Sequence, residues 1–418
     1  VNLKLQQSKP LDALKTIKIS GSKSETNRLL LLQALYPEIK VENASNSDDA
    51  KVMHNALQTT QPPSPNSQFV DVHHAGTAMR FLTAYFAIQE GKEVVLGGSA
   101  RMKERPINIL VDALNQLGAE IIYEEQTEFP PIRIKGKNFS KSKVTLHANV
   151  SSQYISALLL IAPKLGNGLE LTLEGEITSI PYIKMTLALL HQIGVKTLFE
   201  NNIIKVAHHP SPITHHPIKV ESDWSSASYW YSIVALSQIG FQVTLSSFKK
   251  NSLQGDSALV ELYKDFGVET TFNIDDTITL SKINCCNQKL VVFNLQSTPD
   301  LAQTIAVTCF GLRVGCHLTG LHTLKIKETD RLDALLRELT KLGADVQVTS
   351  ESLQLKPTKF INKDITISTY QDHRMAMAFA PLALKTTLTI EEAEVVSKSY
   401  PNFWNDLKQV GFEIIEVN

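Results

Sequence analysis

The segment LVDALNQLGAEIIYE, Leu110 to Glu124, sets the grammar of this chain: apolar residues at i, i+3, i+4 and i+7, a glycine at 118, then a run rich in Ile. That spacing paints one apolar stripe along a helix, and a glycine just past the stripe supplies the left-handed position that closes it before a strand. The order recurs in MTLALLHQIGVKTLFE (Met185 to Glu200, Gly194), LVELYKDFGVETTFN (Leu259 to Asn273, Gly267), LDALLRELTKLGADVQVT (Leu332 to Thr349, Gly343) and FWNDLKQVGFEIIEV (Phe403 to Val417, Gly411). Successive glycines lie 76, 73, 76 and 68 residues apart. A fainter sixth copy is expected over Asp49 to Leu57, ahead of a polar, Pro-rich loop. A period of about 70 residues is too long for a solenoid repeat and suits a small α/β folding unit used several times. Six such units make two domains of three. The His- and Pro-rich stretch HHPSPITHHP (His208 to Pro217), just before the apparent helix start DWSSASYW, marks the best boundary; its four histidines lack an acidic or cysteine partner at ligand spacing and read as an exposed loop.

Composition narrows the class. With 418 residues, 43% hydrophobic and 20% charged, the chain is an ordinary globular protein long enough for two or three domains. Lys plus Arg (41) nearly balance Asp plus Glu (42). A nucleic-acid or anionic-membrane surface would need a net basic face, so neither partner is expected. Cys285, Cys286, Cys309 and Cys316 show no CxxC or Cys/His ligand spacing, and no metal is expected. They read as structural thiols of a reducing compartment. VNLKLQQSKPLDALK has no signal-like apolar run, and the longest apolar stretches, such as Ile155 to Ala162, fall far short of the ~20 residues of a membrane span. A cytoplasmic protein, and a monomer, is expected.

Against that neutral background the cations are concentrated in five short segments: Gly21 to Arg28 (GSKSETNR), Gly76 to Arg80 (GTAMR), Arg101 to Arg105 (RMKER), Lys327 to Arg331 (KETDR) and Asp372 to Arg374 (DHR). Nearly all stand at the start of an apolar helical run, where unpaired backbone N–H groups and the positive dipole end already favour anions. Ser22 and Glu25 have capping-box spacing, which puts Lys23 and Ser24 in the first turn and Arg28 on the face of Ser24. A nucleotide P-loop is excluded, because Ser22 stands where that motif needs Gly directly before Lys. Gly76 lets a ligand approach the backbone, and Pro106 is expected at the first helical position of NILVDAL, with Arg101, Lys103 and Arg105 in the loop before it. SSQ from Ser151 offers two hydroxyls and an amide at another helix start. Glu328, between Lys327 and Arg331, reads either as a salt bridge or as a proton donor and acceptor beside an anionic substrate. Asp300, in STPDLAQT, suits a general base.

Taken in order, GSKSxxNR, GTAMR, RMKERPI, SSQ, PY, PD, KETDR, DHRMAM and a Lys before SYPNFW resemble, over essentially the whole chain, the 5-enolpyruvylshikimate-3-phosphate synthase family. The resemblance implies a two-domain inside-out α/β barrel, each domain three copies of a βαβαββ unit. Residues 1–19 with 223–418 would form one domain and 20–222 the other, with the active site in the cleft between them. It implies transfer of the carboxyvinyl group of phosphoenolpyruvate to the 5-hydroxyl of shikimate 3-phosphate, with no cofactor.

By motif position, Lys23, Ser24, Arg28, Ser151, Ser152, Gln153, Tyr182, Asp300, Thr323 and Lys327 would surround shikimate 3-phosphate. Lys23, Gly76, Arg101, Gln153, Arg331, Arg374 and Lys398 would surround phosphoenolpyruvate. Asp300, Glu328 and Lys23 would be catalytic, Asp300 taking the 5-hydroxyl proton and Glu328 protonating the methylene carbon. Three positions depart from the family's usual residues: His74 for Asn, Phe81 for Pro and Thr323 for Asn. The sister transferase acting on UDP-N-acetylglucosamine fits less well, since its reactive cysteine has no counterpart near Arg101. A non-catalytic anion-binding protein would keep the cations but lose Glu328 or Asp300, and both are present.

Overall fold

Gly118, Gly194, Gly267, Gly343 and Gly411 all have positive φ, between 74° and 111°, and all stand between a helical segment and a strand. At Gly118 the amide turns back onto the carbonyls of Leu114 and Asn115, which ends the helix and launches the strand Glu120–Tyr123. The computed structural model describes residues 1–7, 15–58, 68–148, 151–211 and 216–417, and the chain forms two compact units, Ser22–Val220 and Val1–Gly21 with Glu221–Asn418.

The unit Ser22–Val220 carries helices α1 (Lys23–Leu35), α2 (Asp48–Gln58), α3 (Gly76–Ala87), α4 (Ala100–Lys103), α5 (Asn108–Leu117), α6 (Ser152–Ile161) and α7 (Ile180–Gln192). In one sheet Gln68–Asp71 runs parallel to Glu93–Gly97, which pairs antiparallel with Ile132–Lys135, and that strand with Glu120–Tyr123. A second sheet repeats the order: Lys143–His147 parallel to Leu169–Glu174, then Ile203–Val206 and Thr197–Glu200 antiparallel. Val41–Glu42 pairs in parallel with Ile218–Lys219.

The other unit carries α8 (Trp224–Leu236), α9 (Leu259–Leu262), α10 (Ala302–Leu312), α11 (Arg331–Lys341), α12 (His373–Phe379) and α13 (Phe403–Gln409). The same strand order appears three times in it. Lys15–Ile17 runs parallel to Gln242–Leu245, followed by Ile278–Lys282 and Val268–Phe272. Leu290–Asn294 runs parallel to Gly315–Thr319, followed by Leu353–Leu355 and Val346–Val348. Ile365–Ile367 runs parallel to Leu388–Ile390, and this sheet is completed by Asn2–Gln6 and Glu413–Val417.

A parallel pair needs a crossover, and here the crossover is a helix. These crossover helices are apolar on every side and lie in the core, as such a helix must. In α12 all seven residues are buried, in α6 all but Gln153, and in α8 all but Ser225. Helices α8, α10 and α12 pack on one another, as do α1, α3 and α6. The strands alternate instead, Lys143–His147 burying only Val144 and Leu146, so these sheets have one wet face.

One local expectation changes among these elements. The stripe LVELYKDF is not one helix: α9 is a single turn, followed by the 3₁₀ turn Tyr263–Phe266. A 3₁₀ turn eclipses side chains three apart, which drives both Tyr263 and Phe266 into the core. The fainter repeat is a helix, α2, as expected; the loop after it lies outside the described residues, as do residues 212–215 of the His-rich stretch, in which His208 and His216 are exposed. Among the described residues no helix is long and apolar enough to cross a membrane.

The helix-ending glycines differ in what surrounds them. A Cβ at Gly118 meets nothing within 4 Å, whereas one at Gly267 would collide with the backbone carbonyl of Asn284. Gly118→Ala should therefore cost only the left-handed backbone penalty, ~1–2 kcal/mol. Gly267→Ala should cost clearly more than that, and the difference is read from urea unfolding of the two variants side by side; equal losses would mean that the Asn284 segment simply moves aside.

Candidate active site

In the unit Ser22–Val220 the Ser22 hydroxyl caps α1 by accepting from the Glu25 amide at 3.4 Å, which sets Lys23 and Ser24 in the first turn. Lys23 Nζ lies 3.1 Å from Asp49 Oδ2 on α2. Arg28 is buried one turn further on. It donates to Thr186 Oγ1 at 2.8 Å, the Ser24 carbonyl at 2.7 Å, Ser156 Oγ at 3.0 Å and the Tyr182 carbonyl at 3.4 Å. Its guanidinium also faces the rings of Phe81 and Tyr182, at 5.3 and 5.9 Å. All four acceptors are uncharged. Burial lowers the Arg28 pKa to about 10, although Tyr182 and Glu25 pull the other way, so the cation persists at neutral pH. A buried cation held by neutral oxygens is a place where an anion is welcome.

Ser151 caps α6 by accepting from the Gln153 amide, Ser152 is buried, and the Gln153 amide side chain donates to Thr77 Oγ1 at 3.1 Å. That bond ties the start of α6 to the start of α3, beside Gly76. At Gly76 a Cβ would stand 2.5 Å from Arg105 Nη1, so the missing side chain also admits a protein cation against the helix start. Arg101, 39% exposed, lies on α4 and pairs with Glu104 at 2.7 Å. Arg80 proves to be internal bracing. Buried, it donates to the Gly76 and Pro106 carbonyls at 3.2 and 3.1 Å. Pro106 is not the first residue of a helix, since α5 begins at Asn108; its carbonyl is held by Arg80 and by the Tyr154 hydroxyl outside the helix.

In the other unit one guanidinium gathers the acids. Arg331, 2% exposed, donates through Nε to Asp372 Oδ2 at 2.6 Å, through Nη1 to Asp300 Oδ1 at 2.8 Å and through Nη2 to Glu328 Oε2 at 2.8 Å. Burial alone would favour loss of its proton, yet Asp372, Glu328 and Asp300 together raise its proton affinity above the ordinary value. Asp300, 14% exposed, also meets Arg374 Nη2 at 3.2 Å and Lys327 Nζ at 3.5 Å. Its burial favours the neutral acid, but Arg374, Lys327 and Arg331 outweigh burial and the opposing Glu328, and hold it well below the usual carboxylate range. Glu328 is 17% exposed. Thr323, on the 3₁₀ turn His322–Ile326, is buried, and its hydroxyl has no hydrogen-bond partner among the described residues. Lys398 ends the 3₁₀ turn Ala393–Lys398, which packs against α12.

Asp372 is the group the motif reading left unassigned. It caps α12, accepting from the Arg374 amide at 2.9 Å, and so binds Arg331 and orients Arg374 at once. Tyr370 and Gln371 just before it are both left-handed, at φ of 54° and 56°, a strain of ~1–3 kcal/mol each. Glu338 holds that turn, accepting from the Tyr370 hydroxyl at 2.7 Å and the Ser368 amide at 3.1 Å. The one signal in the sequence was position, an Asp directly before an apolar helix. Asp49 and Thr77 gave none.

A family model described as EPSP synthase (3-phosphoshikimate 1-carboxyvinyltransferase) matches residues 58–407. The chain is 44% identical over 411 residues to a 3-phosphoshikimate 1-carboxyvinyltransferase of Bacteroides fragilis, covering 97% of this chain and 98% of that one. The chain belongs to the EPSP synthase family. A relative of the same name from Haemophilus influenzae is 35% identical, over 96% of this chain and 98% of its own. The fold is shared with an EPSP synthase from Acinetobacter baumannii, TM-score 0.77 at 20% identity with 100% of both chains covered. It is shared as well with the enolpyruvyl transferase NikO from Streptomyces tendae, TM-score 0.75 at 13% identity, covering 100% of this chain and 98% of that one. As an EPSP synthase family member the chain is an enzyme and a transferase. Phe81 is a buried ring against Arg28.

Arg331→Met should destabilise the fold by roughly 3–5 kcal/mol at pH 7, because it strands buried carboxylates without their cation. In the wild type, Asp300 is held low, so its contribution is complete above about pH 4 and is lost only as the pH falls further. In the variant Asp372 and Glu328 lose the Arg331 cation while Arg374 and Lys327 still hold Asp300, so the loss relative to wild type should be smaller at pH 5 than at pH 7. Urea unfolding at the two pH values tests this; parallel behaviour of the two proteins would mean that Arg331 does not neutralise the cluster.

Proposed function

We propose that this chain transfers the carboxyvinyl group of phosphoenolpyruvate to the 5-hydroxyl of shikimate 3-phosphate and releases phosphate. The observation that carries the reading is Arg331 holding Asp300 and Glu328 on its two terminal nitrogens, a base and an acid fixed on one planar cation. Arg28, with its neutral partners, supplies a place for a phosphate group among Lys23, Ser24, Ser151, Ser152, Gln153 and Tyr182. Arg331, Arg374, Lys398, Arg101 and Gly76 would take phosphoenolpyruvate, with Lys23 and Gln153 near both substrates and Thr323 and Lys327 on shikimate 3-phosphate.

Asp300 as described is too weak a base, because three cations suppress its proton affinity. Substrate anions change that. A phosphate and a carboxylate draw Lys327, Arg374 and Arg331 toward themselves, and the proton affinity of Asp300 rises as its cations are shared. Asp300 then takes the 5-hydroxyl proton while Glu328 protonates the methylene carbon, and the oxygen bonds to the electrophilic C2. The reverse transfers follow: the methyl group returns a proton to Glu328, the C–O bond to phosphate breaks, and phosphate leaves with the proton held by Asp300. Atoms and protons balance across the two substrates, and the gain comes from positioning and fixed charge.

The finer architecture belongs to the same reading: a two-domain inside-out barrel, 1–19 plus 223–418 and 20–222, each of three βαβαββ units, both contributing residues to one substrate pair. The recurring strand order and the buried crossover helices support it. A cytoplasmic monomer is the corresponding solution state.

Purified protein given both substrates should release phosphate, and no release above the blank would end the proposal. Glu328→Gln keeps size but cannot donate the proton, so kcat should fall at least ~100-fold while calorimetric binding of shikimate 3-phosphate is retained. Near-normal turnover would move the acid role to Lys23.

A further inference from the structure

The turn Gln254–Asp256 takes no part in the steps above, yet it grips the first turn of α8 at three points. Gln254 Oε1 accepts from the Trp224 amide at 2.9 Å, Gln254 Nε2 donates to the Ser222 carbonyl at 2.9 Å, and Asp256 Oδ2 accepts from the Ser225 hydroxyl. Ser225 Oγ in turn accepts from Arg374 Nη2 at 3.2 Å, and the same nitrogen lies 3.2 Å from Asp300 Oδ2. A hydroxyl has one proton and two lone pairs. By taking that proton, Asp256 leaves Ser225 only lone pairs to present to Arg374. The acid is 3% exposed, and its second oxygen has no hydrogen-bond partner among the described residues. Burial raises its pKa to about 6, with Arg374 lowering it and Asp300 and Asp223 raising it, so it is chiefly a carboxylate at neutral pH. An acid kept at that cost, joined to the site by one hydroxyl, has a job beyond filling space.

We propose that Asp256 is a positioning residue, which through the Ser225 hydroxyl fixes the Arg374 guanidinium between α8 and Asp300 and so sets how tightly the enzyme holds the anionic three-carbon substrate. The inference rests on the reading that Arg374 meets phosphoenolpyruvate. Cutting the chain at either link removes the α8 side of that hold while the Asp300 carboxylate and the Asp300 carbonyl, which accepts from Arg374 Nη1 at 3.3 Å, remain; the loosened guanidinium grips its own ligand less well and the ligand of Arg28 is untouched.

Steady-state kinetics with both substrates varied test this on Ser225→Ala, Asp256→Ala, the double variant and Asp256→Asn. Ser225→Ala spares the Asp223 cap and the Gln254 contacts, so it carries the test if Asp256→Ala fails to fold. Each single Ala variant should raise KM for phosphoenolpyruvate about tenfold, the worth of a hydrogen bond to a charged group, with KM for shikimate 3-phosphate within about twofold. The double variant should match either single one, since both cut the same chain. Asp256→Asn should largely restore KM, because its amide oxygen still accepts the hydroxyl. Equal shifts in both KM values, additive losses in the double variant, or unchanged kinetics beside an active wild type would overturn the inference alone. An inactive wild type would overturn it together with the reading beneath it.

Discussion

A single guanidinium bound to three carboxylates is the constraint on which the rest of its unit turns. Arg331 has one charge, Asp372, Asp300 and Glu328 have three between them, and of these acids only Asp300 and Glu328 reach water at all. Such a cluster is weak evidence for stability, because desolvation consumes most of what the attraction returns. Its value lies in poise. Arg374 and Lys327 complete the neutralisation from the side on Asp300, so the acid's basicity is set by how much of that positive charge something else claims.

The unit Ser22–Val220 shows the opposite arrangement. Arg28 is as deeply placed as Arg331, but its hydrogen bonds go to two hydroxyls and two carbonyls. One cation is satisfied internally and waits to be competed for, whereas the other is merely solvated by the protein. The difference follows from what the neighbouring elements present: hydroxyls within α6 and α7, Ser156 and Thr186, face Arg28, whereas carboxylates just before α10, α11 and α12, Asp300, Glu328 and Asp372, face Arg331.

Much of this was legible because it is local. Helix–glycine–strand junctions depend on residues adjacent in the chain, and so do the caps at Ser22, Ser151 and Asp372. The motif segments likewise fall at helix starts, since that is where backbone donors are unpaired. What could not be read was decided by partners far along the chain. Arg80 looks like any other motif cation until the Pro106 carbonyl is seen on it, and nothing beside Gly76 in the chain points to Arg105 across it. Asp300 reads as a base in isolation, but Arg331 and Arg374 make it a poor one until they are engaged. The single-turn α9 was missed because a periodic stripe does not distinguish α from 3₁₀ geometry over so short a run.

The sheet built from Ile365–Ile367, Leu388–Ile390, Asn2–Gln6 and Glu413–Val417 has a kinetic meaning. Asn2–Gln6 is flanked on both sides by strands from the far end of the sequence, Leu3 opposite Ile390 and Glu416. During synthesis Asn2–Gln6 precedes by most of this sequence both partners that would satisfy its backbone. Loop-closure entropy must be met before those contacts reward it, so the sheet is a late-forming lock on its unit, and until the later strands are made Asn2–Gln6 is left for chaperones to shield.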